Sequence, residues 1–189
     1  MSNFKIHGSE IAAFFKRIYL LVRANWVDTF GDRASARKVW IQLYKHEVLW
    51  LRTNNPARAT TMISLALTYM NDPQLTDLTP AETLLAQVQN RWGTSASLLT
   101  RKQAATASCL RARIAERLGD WQTAVQRHEE AEKLYFTSES IGWPRSHNLN
   151  ELSRCYLRLG RPDDACRVER QATSIQASIF YNYRPTVLR

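Results

Sequence analysis

Leu118-Gly119-Asp120-Trp121-Gln122-Thr123-Ala124 and Leu159-Gly160-Arg161-Pro162-Asp163-Asp164-Ala165 are two copies of one punctuation mark, 41 residues apart. The residues that follow stay in step: Ala131 with Ala172 and Leu134 with Ile175, again 41 apart. Self-similarity at a fixed interval of about 20 to 50 residues marks stacked supersecondary units, not a globule around one catalytic cleft. Glycine suits the left-handed residue that ends a helix, and the carboxylates just after it suit the start of the next. Each copy therefore reads as the turn of a helical hairpin, and the repetition points to a scaffold that binds something.

Stop and start signals outward from these turns give about eight helices in four hairpins. The first runs from Ser9 to Asp28, with Ile11, Phe14, Phe15, Ile18, Leu21 and Val22 expected in the core against Trp40, Leu43, Tyr44 and Leu51 of the second. Gly31-Asp32 separates those two helices. Asn55-Pro56 opens the third as N-cap and first helical residue, and Asp72-Pro73 stops it. Thr79-Pro80-Ala81-Glu82 reads as a capping box for the fourth, which ends at Trp92-Gly93. The remaining four run from about Ser95 to Leu118, from Asp120 to Phe136, from Pro144 to the second Leu-Gly turn, and onward from Pro162. Tyr181 to Arg189 is expected to be an extended tail, and residues 1–8 an N-terminal arm. No stretch alternates apolar and polar residues for long enough to be a strand, so the class is all-α. Within each hairpin two alanines stand seven apart, Ala124 with Ala131 and Ala165 with Ala172, where a small side chain lets a paired helix approach closely.

Composition agrees. The 189 residues are 44% hydrophobic with six glycines and six prolines, and without a compositional break they read as one domain, 1–189. Cys109, Cys155 and Cys166 form no CxxC pair, so they are expected to be buried thiols in a reducing compartment. Lys16, Arg17 and Arg23 interrupt the apolar stretch from Ile11 to Val27, which excludes a signal peptide or membrane span there and implies a cytoplasmic protein. Lying on an anionic membrane or a partner is the alternative to core packing for that helix. Net charge is +9, twenty of the 26 basic residues are arginine, and the excess is spread along the chain.

The sequence Leu118-Gly-Asp-Trp-x-x-Ala-Val125, followed by His128 and Ala131, resembles a tetratricopeptide (TPR) repeat. So does Leu152-x-x-x-Tyr156 followed by Leu159-Gly160-x-Pro162-x-x-Ala165. The resemblance covers residues 95–180 well. Phe30-Gly31-Asp32-Arg33-x-x-Ala36 is a fainter copy, and the third and fourth helices match only in being helical. The 41-residue interval is longer than the family's usual period of about 34, and Arg111 stands where the family places a large apolar residue. The resemblance implies antiparallel hairpins stacked as a short right-handed solenoid whose first helices line a groove.

Carried over by position, that groove is lined by Arg113 and Arg117 in one repeat and by Asn150, Arg154 and Arg158 in the next. Arginines 41 residues apart form a ladder suited to carboxylates or phosphates. Trp143, beside Gly142 and Pro144, is the candidate aromatic contact. The chaperone-tail clamp of the family is not matched. The expected function is a non-enzymatic adaptor or chaperone holding a peptide or helix of an acidic partner protein. The alternative is a helical module binding RNA or DNA by its phosphates. His7, His46, His128 and His147 have no metal-ligand spacing, nucleophile-elbow and phosphate-loop motifs are absent, and no cofactor is expected. A homodimer through a terminal hairpin is compatible with the need to cover the ends of a repeat array.

Overall fold

The computed structural model describes residues 8–95, 97–138 and 142–182, and all regular structure among them is helical. The order is α1 Gly8–Phe30, α2 Arg33–Trp50, α3 Pro56–Met70, α4 Thr79–Trp92, α5 Leu98–Arg117, α6 Trp121–Thr137, α7 Trp143–Arg158 and α8 Pro162–Asn182. The chain packs as two compact units, Met1–Leu84 and Leu85–Arg189, a division that the even composition does not announce. The N-terminal arm and the tail lie outside the described residues, except that Gly8, Tyr181 and Asn182 are helical. At those last two positions the extended tail is corrected to a continuation of α8.

In the second unit α5 pairs with α6, α7 pairs with α8, and α7 also packs on α6. The two turns are the same in atomic detail. Gly119 and Gly160 have φ of 77° and 70°, the left-handed region that an L side chain enters at a cost. Asp120 N donates to Ala115 O at 2.9 Å and Gly119 N to Glu116 O at 3.0 Å. Arg161 N to Tyr156 O and Gly160 N to Leu157 O repeat this pair at 2.9 and 3.1 Å. This double bond closes the helix end by satisfying carbonyls that would otherwise lack partners. Asp120 then caps α6 by accepting from Thr123 N at 3.0 Å, which holds its carboxyl below the usual carboxylate range. Pro162 opens α8, with Asp163 and Asp164 in its first turn.

Ala124, Ala131, Ala165 and Ala172 are at most 2% exposed. Ala124, Ala165 and Ala172 share one cluster with Leu149, Leu152, Cys155 and Tyr156, so the small residues sit where α7 meets its neighbours. Arg111 is accommodated without an apolar pocket: its guanidinium donates to Gln89 Oε1 at 2.6 Å, and Gln89 Nε2 donates to Glu130 at 2.9 Å. Arg127 reaches the same Glu130 carboxylate at 3.0 Å. Burial alone would raise Glu130, but these donors and the nearby Arg111 charge draw its carboxyl below its ordinary value.

In the first unit α1 packs on α2 and α2 on α3, around Leu20, Ala24, Trp40, Leu43 and Leu65. Asp32 caps α2 through Ser35 N at 2.9 Å, and Asn55 caps α3 through Ala57 N at 2.9 Å with Pro56 next. The Gly31 turn is a different one. Its amide bonds to Val27 O at 2.8 Å and it is not among the left-handed glycines. Thr79 is the first residue of α4 and not its N-cap; Asp77 accepts from Thr79 N at 2.9 Å in place of the expected capping box.

The face of α1 reverses the expected burial. Ile11, Phe14, Phe15, Ile18 and Val22 are 40–64% exposed, and Leu21 is partly buried. Ala13, Leu20 and Ala24 meet α2 in their place, because small side chains allow the close approach and the larger apolar row falls on the opposite side. Two polar contacts fix the pairing: Arg17 Nε donates to Glu47 at 2.8 Å, and His46 Nε2 donates to Ala13 O at 2.9 Å. Cys109 and Cys155 are buried as expected, but Cys166 is exposed. Val125, at the equivalent place on α6, is buried in the cluster with Leu149 and Leu152 of α7. No described helix follows α8 to cover Cys166 likewise.

Candidate functional site

The proposed partner face lies on α5 and α7, the first helices of the two regular hairpins, which touch one another. Arg113 and Arg117 are exposed one turn apart on α5, and Asn150, Arg154 and Arg158 are exposed at the same spacing on α7. Trp143, 56% exposed, stands seven residues before Asn150 and shares that face of α7. Side chains preset two of the arginines. The Arg158 guanidinium lies 5.5 Å from the Trp121 ring centre, and Arg154 forms an ion pair with Glu151, which is nearly buried. Guanidinium carries five N–H donors in a planar fork, so one pairing with Glu151 leaves donors directed to solvent. Other arginines of this unit are engaged by carboxylates: Arg145 by Glu132 at 2.5 Å, and Arg161 and Arg167 by Asp164 at 2.7 and 3.0 Å. The basic surface is thus interrupted by acid.

Behind this face is a buried polar centre that the sequence did not reveal. His128, fully buried on α6, has Nε2 2.8 Å from Glu116 Oε1 of α5 and Nδ1 2.7 Å from Asn148 Oδ1 of α7. Asn148 Nδ2 donates to His128 O at 3.0 Å, which turns the amide so that its oxygen faces the imidazole. Both ring nitrogens therefore meet acceptors and both must donate, so His128 is an imidazolium. Burial alone would depress it; contacts with Cys109 and Cys155 and the hydrogen bond to Glu116 hold it up at about 12. Cys155 completes a group with Glu116 and His128 whose ligand atoms lie within 4.8 Å of one another. The His128–Glu116 hydrogen bond accounts for this grouping with a proton between the two side chains.

His46 is buried and His147 is exposed near Glu151, at 3.6 Å, while His7 lies outside the described residues. Nothing in the spacing of residues along α5, α6 and α7 singles out the centre around His128. Its partners Glu116 and Asn148 are brought together by helix packing and share no motif. No described helix is long and apolar enough to cross a membrane.

Solved structures are similar to this chain in fold. A kinesin light chain-like protein of Podosopora anserina, with nearly identical TPR-like repeats, is similar at 22% identity and a TM-score of 0.66; the match covers 86% of this chain and 76% of that one. A point variant of that protein matches over the same shares with a TM-score of 0.67. BtubC (BKLC) of P. vanneervenii is similar at 18% identity and a TM-score of 0.74, over 94% of this chain and 69% of that one. No family model matches the sequence, and no curated protein does. The doubled glycine turn, the buried alanines between hairpins and these neighbours together give the chain the TPR-like helical-repeat fold.

Proposed function

We propose that the chain is a non-enzymatic protein-interaction scaffold that holds an acidic peptide or helix of a partner against the exposed arginine face of α5 and α7. The observation that carries this reading is the recurrence of exposed Arg113 and Arg117 at Arg154 and Arg158, one repeat later, on helices that touch. Successive carboxylates of an extended or helical segment can be met by successive guanidinium forks, which fixes register and orientation. Trp143 and exposed Leu157 beside them offer apolar contact, the source of most affinity in such grooves.

The +9 net charge favours a second reading, phosphate-mediated binding of RNA or DNA. Carboxylates set against Arg127, Arg145, Arg154, Arg161 and Arg167 break up the positive surface and support the protein partner instead.

A pull-down with Arg113, Arg154 and Arg158 all changed to Glu tests the assignment. The expected result is loss of the copurifying partner with the circular dichroism spectrum unchanged. Recovery of the same partner in equal yield by the folded triple variant would overturn it. Retention of wild type by nucleic acid at low salt, with a steep loss at moderate salt, would favour the second reading instead.

A further inference from the structure

The outward face of α1 is too apolar to be a water-facing surface. Phe14, Ile18, Val22, Trp26 and Phe30 follow one another at intervals of four, and Ile11, Phe15 and Tyr19 lie beside them; each of the eight is 40–71% exposed. They project from the side opposite Ala13, Leu20 and Ala24, so α1 is apolar on both sides, a pattern otherwise found in helices buried all round. The only polar residues within the row are Asn25 and Thr29, and both turn back on the helix. Asn25 Nδ2 donates to Leu21 O and Thr29 Oγ1 to Asn25 O, each at 2.8 Å. Charge is confined to one edge of this face, where Lys16 and Arg23 are exposed about one turn before and after Tyr19.

The other end of the helix order is built differently. The exposed side of α8 carries Arg167, Glu169, Arg170 and Thr173, a polar surface suited to water. A head-to-tail contact of α8 on α1 would bury those charges against aromatic rings. What α1 fits is a surface equally apolar at its centre, with its charges held at one edge.

We propose that the α1 face binds α1 of a second copy of this chain, antiparallel, about a two-fold axis at Val22. Self-complementarity is the requirement of a two-fold contact, and the row meets it by position. With the axis at Val22, Ile18 faces Trp26 of the other copy and Phe14 faces Phe30, so the smallest residue is central and aromatic rings stand at both ends. The area suffices. Five aromatics that each bury about 150–250 Å² when fully covered are 58–71% exposed here. With the three aliphatic residues they offer roughly 800 Å² to a partner, about what each side of a stable interface buries.

Salt separates this contact from an electrostatic one. Two copies each carrying +9 repel, so the dimer tightens as salt is added, whereas docking on an anionic membrane or an acidic partner weakens. The contact is also separate from the arginine face, and the triple Arg-to-Glu variant remains dimeric.

Sedimentation equilibrium of the full chain at several salt concentrations tests it. The expected mass is twice 21.8 kDa at micromolar concentration. Val22→Arg, which sets two guanidinium groups together at the axis, should raise the dissociation constant roughly tenfold or more, and Phe14→Ala should weaken it less. Both positions are exposed, so an unchanged melting curve shows that the fold persists. A single-chain mass for the wild type at tens of micromolar, or a dimer unmoved by Val22→Arg, overturns the proposal. So does a monomer that instead sediments with phosphatidylserine vesicles.

Discussion

His128 shows how much one buried residue can carry. Its two nitrogens join α6 to α5 through Glu116 and to α7 through Asn148, so one side chain ties the first hairpin of the second unit to the next. Removing one member of a buried charge pair leaves the other unpartnered, and His128→Ala should destabilise the protein by about 3–5 kcal/mol in urea denaturation. The pH dependence has a definite sign. Folding raises the imidazole from its ordinary 6.5 to about 12, so its contribution is full below pH 6.5 and declines steadily as pH rises toward 12. Wild type should therefore lose stability between pH 6.5 and 9, and His128→Gln should show a flatter profile over that window. Equal slopes for the two proteins would remove the imidazolium. The place of His128 in the TPR-like motif was legible in the sequence, but its burial was not. Nor was its charge state, since Glu116 and Asn148 stand 12 and 20 residues away and only the meeting of three helices brings them to it.

Among the elements, the turns were read best because their chemistry is local. Leu-Gly followed by a helix start at residues 118–121 and 159–162 dictates a left-handed glycine in both places, and both glycines adopt it. A Cβ added at Gly119 or Gly160 would meet no atom within 4 Å, so the cost of alanine there is conformational and not steric. Gly119→Ala and Gly160→Ala should each cost about 1–2 kcal/mol by chemical denaturation, and the two effects should be alike. A difference between them beyond about 1 kcal/mol would show that the two turns are not equivalent. Gly31 has no left-handed φ, and its Cβ would lie 2.7 Å from Val27 O, so the faint first copy of the motif is not the same turn. Periodicity located α1 but misassigned its buried side. A helix with apolar residues all round gives no signal of which side its neighbour takes, and here alanines at 13 and 24 decided the matter by allowing α2 close. Cys166 was misplaced for a related reason: the repeat predicts what position 125 meets but not that no described helix follows α8.

At the scale of the molecule, a repeat with two unlike exposed faces is suited to joining partners. The arginine face of the second unit has the donors to orient an acidic segment, and the apolar face of α1 has the area to pair with a like surface. The repeat fold was legible from two turns, whereas the division at residue 84 was not, since it follows from which helices touch and leaves no compositional trace. On the proposed function, partner recognition rests on Arg113, Arg117, Asn150, Arg154 and Arg158. The most direct test places a photo-crosslinking residue at Asn150 and, separately, at Gln122, which is exposed on α6 and is not one of these residues. Crosslinking of an Asp- and Glu-rich partner segment from position 150, and little from position 122, is the predicted result. Equal yields from the two positions, or crosslinks from position 122 alone, would contradict the arginine face as the binding site.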